Sequence, residues 1–136
     1  LIQRTSRGTL GAVRSTQADI LLASSFCCAR ATADYILAHD PDTVTFVITG
    51  LDDNGWGDED VACADYLEAL LRGHQPSPEP NLKRVQESVV GQLFLNREWP
   101  ELPADDIPCC IDLDCFDSAM LIRRSNGLLV MKPARG

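Results

Sequence analysis

Residues Thr43–Thr49 read Thr-Val-Thr-Phe-Val-Ile-Thr and are β-branched at six of seven positions. Such side chains are stiff at χ1 and fit a pleated, half-buried surface, so this segment predicts a strand. Its neighbours then constrain the fold. Before it, Ser24 or Ser25 can cap a helix whose apolar face is Phe26, Ala29, Ala33, Ile36 and Leu37. After it comes a loop, Gly50–Gly57, and then a helix over Asp58–Leu71 with Cys63, Leu67 and Leu70 on its face. Further upstream, Ile20-Leu21-Leu22 has the length of a buried strand, Thr9–Gln17 reads as a helix, and Leu1–Thr5 as a short strand. Strand–helix alternation over the first 72 residues argues for βαβ units.

The second half reads differently. Gln75–Pro80 and Trp99–Pro108 each hold three prolines and are irregular. Between them a helix spans about Asn81–Arg97, with Leu82, Val85, Val89 and Leu93 at helical spacing. A short helix is expected over Ile107–Asp117. Ala119–Met131 is a hairpin turning at Ser125-Asn126-Gly127, because Asn-Gly is the strongest short hairpin signal. The expectation is an α/β domain over residues 1–136: three-layer, with a mainly parallel or mixed sheet, flanking helices and a C-terminal β-hairpin.

Charge narrows the partners. The 136 residues carry 12 Lys plus Arg against 20 Asp plus Glu, a net charge of −8. That disfavours non-specific binding to nucleic acid or anionic lipid. No run approaches the ~18 apolar residues of a membrane span. The six cysteines form no C-x-x-C pair, and His39 and His74 lie far from them, so structural zinc is not expected. Free thiols in a reducing cytoplasm are the expectation. The chain begins at Leu1 rather than Met, so an upstream portion of a longer protein is expected as well.

Ligands of open α/β sheets collect beyond the carboxyl ends of the strands. Three loops occupy such places: Thr5–Thr9, Ser24–Phe26 and Gly50–Asp60. The first offers hydroxyls, a glycine and Arg7 at a helix start, where amides and a guanidinium can hold phosphate, although a plain capping turn has the same composition. The third carries five carboxylates: Asp52, Asp53, Asp58, Glu59 and Asp60. A hard cation such as Mg²⁺ takes oxygen ligands, but acidic residues also favour a helix start without any metal. The loop is not an EF-hand, since Trp56 and Cys63 fall at ligand positions.

The order of these loops resembles the 2-phosphosulfolactate phosphatase family. Its T-x-N-G-T turn is similar to Thr5-Ser6-Arg7-Gly8-Thr9. Its A-D-x-(apolar)-x-G-S-F-x-N-A stretch is similar to Ala18–Ala29, and its E-D-x-x-C-A motif to Glu59-Asp60-Val61-Ala62-Cys63-Ala64. The resemblance implies a Mg²⁺-dependent phosphatase acting on a small phosphorylated organic acid, in the pathway to coenzyme M. It makes Glu59 and Asp60 the catalytic and metal-binding candidates, and Arg7, Gly8, Thr9 and Ser25 the substrate-binding candidates. It also makes the chain the C-terminal portion of a larger α/β protein.

There are departures. The Asn of N-G-T is Arg7 here, the Asn after G-S-F-x is Cys28, and the Gly of that motif is Ser24. An Asn amide both donates and accepts, Arg only donates, and Cys offers little. That implies a shifted substrate or lost activity, with weak or absent phosphatase activity for this chain alone. Two rivals follow: a non-catalytic relative that acts as a binding or assembly module, and an unrelated α/β domain whose acidic loop is plain surface. An open sheet edge would also let the chain pair with itself as a homo-oligomer.

Overall fold

The computed structural model describes residues 2, 4–5, 7–15, 17–50, 52–97 and 100–136. A short helix, α1 (Gly8–Arg14), comes first, followed by strand β1 (Leu21–Ala23). A 3-10 turn over Phe26–Cys28 feeds α2 (Ala29–His39). After a long irregular stretch come α3 (Asp58–Leu71), α4 (Glu79–Glu87), α5 (Val89–Leu95) and α6 (Asp106–Cys110). Strands β2 (Ala119–Ser125) and β3 (Leu128–Ala134) end the chain.

The class is mixed α/β, and the strands lie in the order β1-β2-β3 with both pairings antiparallel. Leu22 faces Leu121 across the first pairing, and Arg123 faces Val130 across the second. The hairpin forms as expected and runs on to Ala134. Asn126 and Gly127 both have positive φ, 51° and 79°, which is the backbone of a type I′ turn and matches the twist of the strands. Pro133 lacks an N–H, and it sits on the edge strand, where that is tolerated.

The expected parallel pairing does not appear among the described residues. Thr43–Thr49 has no regular secondary structure and makes no backbone–backbone hydrogen bond there. Strand propensity reflects packing against neighbours, and without a ladder partner it does not hold a strand. The segment still packs: Phe46 lies against the core, while Val47 is 56% exposed. Of the strand expected over Leu1–Thr5, Leu1 and Gln3 lie outside the described residues, and Ile2, Arg4 and Thr5 are in no strand.

The core is helical. Phe26, Ala29, Ala33, Ala62, Tyr66, Leu67, Leu70 and Val85 pack together, drawn from the 3-10 turn, α2, α3 and α4. α2 and α3 contribute the small residues Ala29, Ala33 and Ala62 to this core, which lets helices approach closely. Leu37, expected on the buried face of α2, is 52% exposed, while Thr32 and Tyr35 are buried in its place.

The single helix expected over Asn81–Arg97 is two helices. Ser88 breaks it, because its buried hydroxyl donates to the Val85 carbonyl at 2.8 Å and accepts from Gly91 N–H at 2.9 Å. Gly91 is required there, since a Cβ would lie 2.1 Å from the Val85 carbonyl oxygen. No helix among the described residues is long and apolar enough to cross a membrane.

Candidate functional site

The turn before α1 is closed by two threonines. Thr5 Oγ1 accepts from Thr9 N–H at 3.0 Å, and Thr9 Oγ1 donates to the Thr5 carbonyl at 2.8 Å. The amide and hydroxyl of Thr9 are therefore engaged within the turn. Gly8 is exposed, and a Cβ on it would approach Thr5 Oγ1 at 3.3 Å.

Arg7 joins the first loop to the third. Its guanidinium donates to the Gly50 carbonyl at 2.5 Å and lies over the Trp56 ring, 5.5 Å from the centroid. Such a cation–π contact contributes ~0.5–1 kcal/mol at an exposed site. Gly50 has φ 107°, and a Cβ there would sit 2.5 Å from Arg7 Cδ, so the close approach needs glycine.

Beyond Gly50, Asp52 organises the loop rather than standing free. Its Oδ1 accepts from Asn54 N–H at 2.9 Å and from Trp56 N–H at 3.3 Å. This is the local self-bonding that makes Asp a turn residue. Gly57, with φ 87°, then starts α3, and its carbonyl accepts from Val61 N–H at 3.1 Å.

The acids of the first turn of α3 differ in state. Asp58 is consumed by Arg84 of α4, whose Nε donates to Oδ2 at 2.9 Å and whose Nη1 reaches Asp65 at 2.7 Å. These charge-assisted bonds raise the Arg84 pKa and tie α4 to α3. Glu59 is half-buried, and its Oε2 is shielded from solvent with no hydrogen-bond partner. Desolvation pushes its carboxyl above the ordinary value, and the neighbouring charges of Asp60 and Asp58 add to that, against backbone hydrogen bonds that lower it. Asp60 is exposed as a residue, yet desolvation also raises its carboxyl.

Cys63, one turn further on, links the third loop to the second. Burial pushes its thiol up to about 12, reinforced by charge on Asp60 and then on Cys28 and Cys27. The Phe26 ring, next to Ser25, lies 5.8 Å from the Tyr66 ring, so the Ser25 turn packs on α3. Ser25 is exposed, with its hydroxyl 3.8 Å from Cys28 Sγ.

The structure thus gathers Arg7 with Gly50 and Trp56, and packs the Phe26 turn on Tyr66 of α3. Among the described residues, no hydrogen bond joins Gly8, Thr9 or Ser25 to Glu59 or Asp60. Nor do three or more His, Cys, Asp or Glu side chains converge as a cation cage. The two carboxylates left in the first turn suit Mg²⁺, which takes one or two carboxylates and keeps several waters. Two surface hollows, one lined by Arg97, Pro103 and Asp105, the other by Val44, Phe46 and Arg72, contain none of the candidate residues.

Sequence reasoning missed Asp114. Its Oδ1 accepts from Arg30 N–H at 2.6 Å and so caps α2 from 84 residues away. No local signal announces so distant a cap.

The family model for 2-phosphosulpholactate phosphatase matches residues 1–125. A protein of Bacillus subtilis (strain 168) named "Probable 2-phosphosulfolactate phosphatase" is 28% identical over 128 residues. The match covers 91% of this chain and 54% of that relative, so the chain spans about half the length of the curated relative it matches. No solved structure matches.

Proposed function

Because the chain belongs to the 2-phosphosulpholactate phosphatase family, we propose that it contributes part of the active site of a Mg²⁺-dependent phosphatase. Its substrate is a small anionic phosphomonoester, a phosphorylated organic acid of the kind the family name describes. The observation that carries this reading is the buried, unpartnered Oε2 of Glu59 in the first turn of α3. A buried carboxylate oxygen without a donor is costly, and a cation would relieve it.

On this reading Glu59 and Asp60 hold the metal. A bound ion would supply Lewis-acid chemistry there, offsetting charge on the phosphoryl oxygens. Arg7, Gly8, Thr9 and Ser25 face the phosphate. Arg7 supplies the charge-assisted donors, and its anchorage to Gly50 and Trp56 holds the first loop against the third. Thr9 contributes only if its bonds to Thr5 open. Asp60 would also orient the attacking water. A parallel three-layer sheet belongs to this proposal too, with Thr43–Thr49 paired to a strand that the described residues do not supply. So do a cytoplasmic setting, a place in coenzyme M synthesis and a homo-oligomer.

The test is release of inorganic phosphate by the full-length protein from a panel of small phosphate esters, with and without Mg²⁺. Metal-dependent turnover, abolished by Glu59→Ala with Asp60→Ala while the fold is kept, supports the proposal. Turnover that survives the double substitution moves the site elsewhere. A second reading, a non-catalytic binding or assembly module, is favoured by the engagement of Thr9 with Thr5 and by Arg7 and Cys28 at the family's Asn positions. No metal-dependent release from any ester would select it.

A further inference from the structure

Two distant segments are riveted together around a pair of thiols. Asp114 N–H donates to the Phe26 carbonyl at 3.0 Å, and Phe116 N–H donates to the Cys27 carbonyl at 2.9 Å. The Asp114 carboxylate closes the bracket by accepting from Arg30 N–H at 2.6 Å. Asp114 itself has φ 54°, a left-handed residue that turns the chain between Leu113 and Cys115. The second bond seats the Cys27 carbonyl on the amide next to Cys115, and a disulfide needs the two Cα atoms ~4.4–6.8 Å apart. Within the bracket, Cys115 lies between Asp114 and Phe116, the two residues whose amides bind the Phe26 and Cys27 carbonyls.

The other four cysteines are placed differently. Cys28 is buried, and its sulfur lies against the Ser25 carbonyl and the Thr32 hydroxyl. Cys63 is half-buried in the helical layer. Cys27 Sγ meets Cys109 and Cys110 at their carbonyl oxygens, 3.0 and 3.7 Å away. Cys109 Sγ turns back to the Asp105 carbonyl at 3.8 Å. Cys115 is exposed and Cys27 half-exposed, so a small oxidant can reach the pair.

We propose that Cys27 and Cys115 are a redox modification site, joined as a disulfide by exchange with a small-molecule disulfide. One thiolate attacks a sulfur of the small disulfide, forming a mixed disulfide and releasing one thiolate. The second protein thiol loses its proton and attacks the protein-bound sulfur, and the second small thiolate leaves. Two electrons pass from the protein pair to the small disulfide, which becomes two thiols. Desolvation, with the charges of Cys27 and Asp112, pushes Cys115 up to about 11, so its thiolate is scarce at neutral pH and exchange speeds up in alkali. The bond would fix the turn that carries Ser25, two residues before Cys27, to the segment before β2.

The experiment oxidises the chain with oxidised glutathione, alkylates it and maps crosslinked peptides by mass spectrometry. The expected result is a Cys27–Cys115 peptide, a fall from six titratable thiols to four, and reversal by dithiothreitol. Closing so long a loop should raise the thermal midpoint on the order of 5 °C. Cys115→Ser, at an exposed position, should abolish both the crosslink and the thermal shift, and Cys27→Ser should do the same. A crosslink from Cys27 to Cys109 or Cys110, a stable glutathione adduct with no second step, or an intermolecular dimer would each overturn the proposal.

Discussion

Thr43–Thr49 and the β2–β3 hairpin carry similar strand chemistry and end in different states. The hairpin has a complete ladder from Ala119↔Ala134 to Ser125↔Leu128. The earlier segment has none among the described residues. Its composition is, if anything, the more strand-like. What separates them is the distance to a partner. Asn126-Gly127 closes the hairpin through two residues, so each new pair is added beside the last. A strand at 43–49 needs a partner brought from far along the chain, and β1 presents its paired edge to β2 instead. Side-chain burial of Phe46 anchors the segment without organising its backbone.

Amide exchange gives the largest contrast. Amides within 44–48 should exchange roughly two or more orders of magnitude faster than the ladder amides of β2 and β3, by hydrogen–deuterium mass spectrometry. Equal protection would mean that 43–49 is paired in solution and would erase the distinction. Gly127→Ala tests the local turn. A Cβ there meets nothing within 4 Å, so the cost is backbone strain alone. It should be about 1–2 kcal/mol, read from denaturant midpoints.

Gly11→Ala tests what holds the unpaired segment. A Cβ on Gly11 would lie 2.3 Å from Thr49 Cγ2, so α1 and Thr49 must separate. Overpacking of about 1–3 kcal/mol, less about 1 kcal/mol of gained helix propensity, predicts a net loss near 1 kcal/mol. In a Thr49→Ala background the same change should be neutral or stabilising. If the loss persists there, the contact is not what joins the two.

The smallest effect lies where the loop after that segment enters α3. Desolvation raises the Glu59 carboxyl above 4.5. A raised acid favours the folded state when protonated, so its contribution is complete below 4.5 and is lost as pH rises through the folded value. Glu59→Gln should therefore stabilise the metal-free protein slightly near pH 7, with the gain vanishing below pH 4.5. Added Mg²⁺ should raise the midpoint of the unsubstituted protein and not that of Glu59→Gln. A loss of stability at pH 7 from this substitution, without metal, would mean that the charged carboxylate is net favourable there and that desolvation does not dominate.

Much of the helical layer was legible from residues alone. Leu67 and Leu70 recur at helical spacing and are buried as that spacing requires. The acidic start of α3 was visible as well, but not the division of labour within it. Asp58, Glu59 and Asp60 look alike in sequence. Arg84, 26 residues later, takes the first and leaves Oε2 of the second without a partner. Likewise, nothing near Ser88 marks it as a helix break until Gly91 is seen packed on the Val85 carbonyl.

Local order along the chain was enough to determine the hairpin and the span of α3. Each of these rests on interactions between residues a few positions apart. Only the tertiary structure decided that 43–49 stays out of the ladder among the described residues, that Asp114 caps α2, and that the Phe116 amide binds the Cys27 carbonyl. Those outcomes depend on which distant groups arrive together, and the entropy of closing long loops is offset only by contacts made after closure.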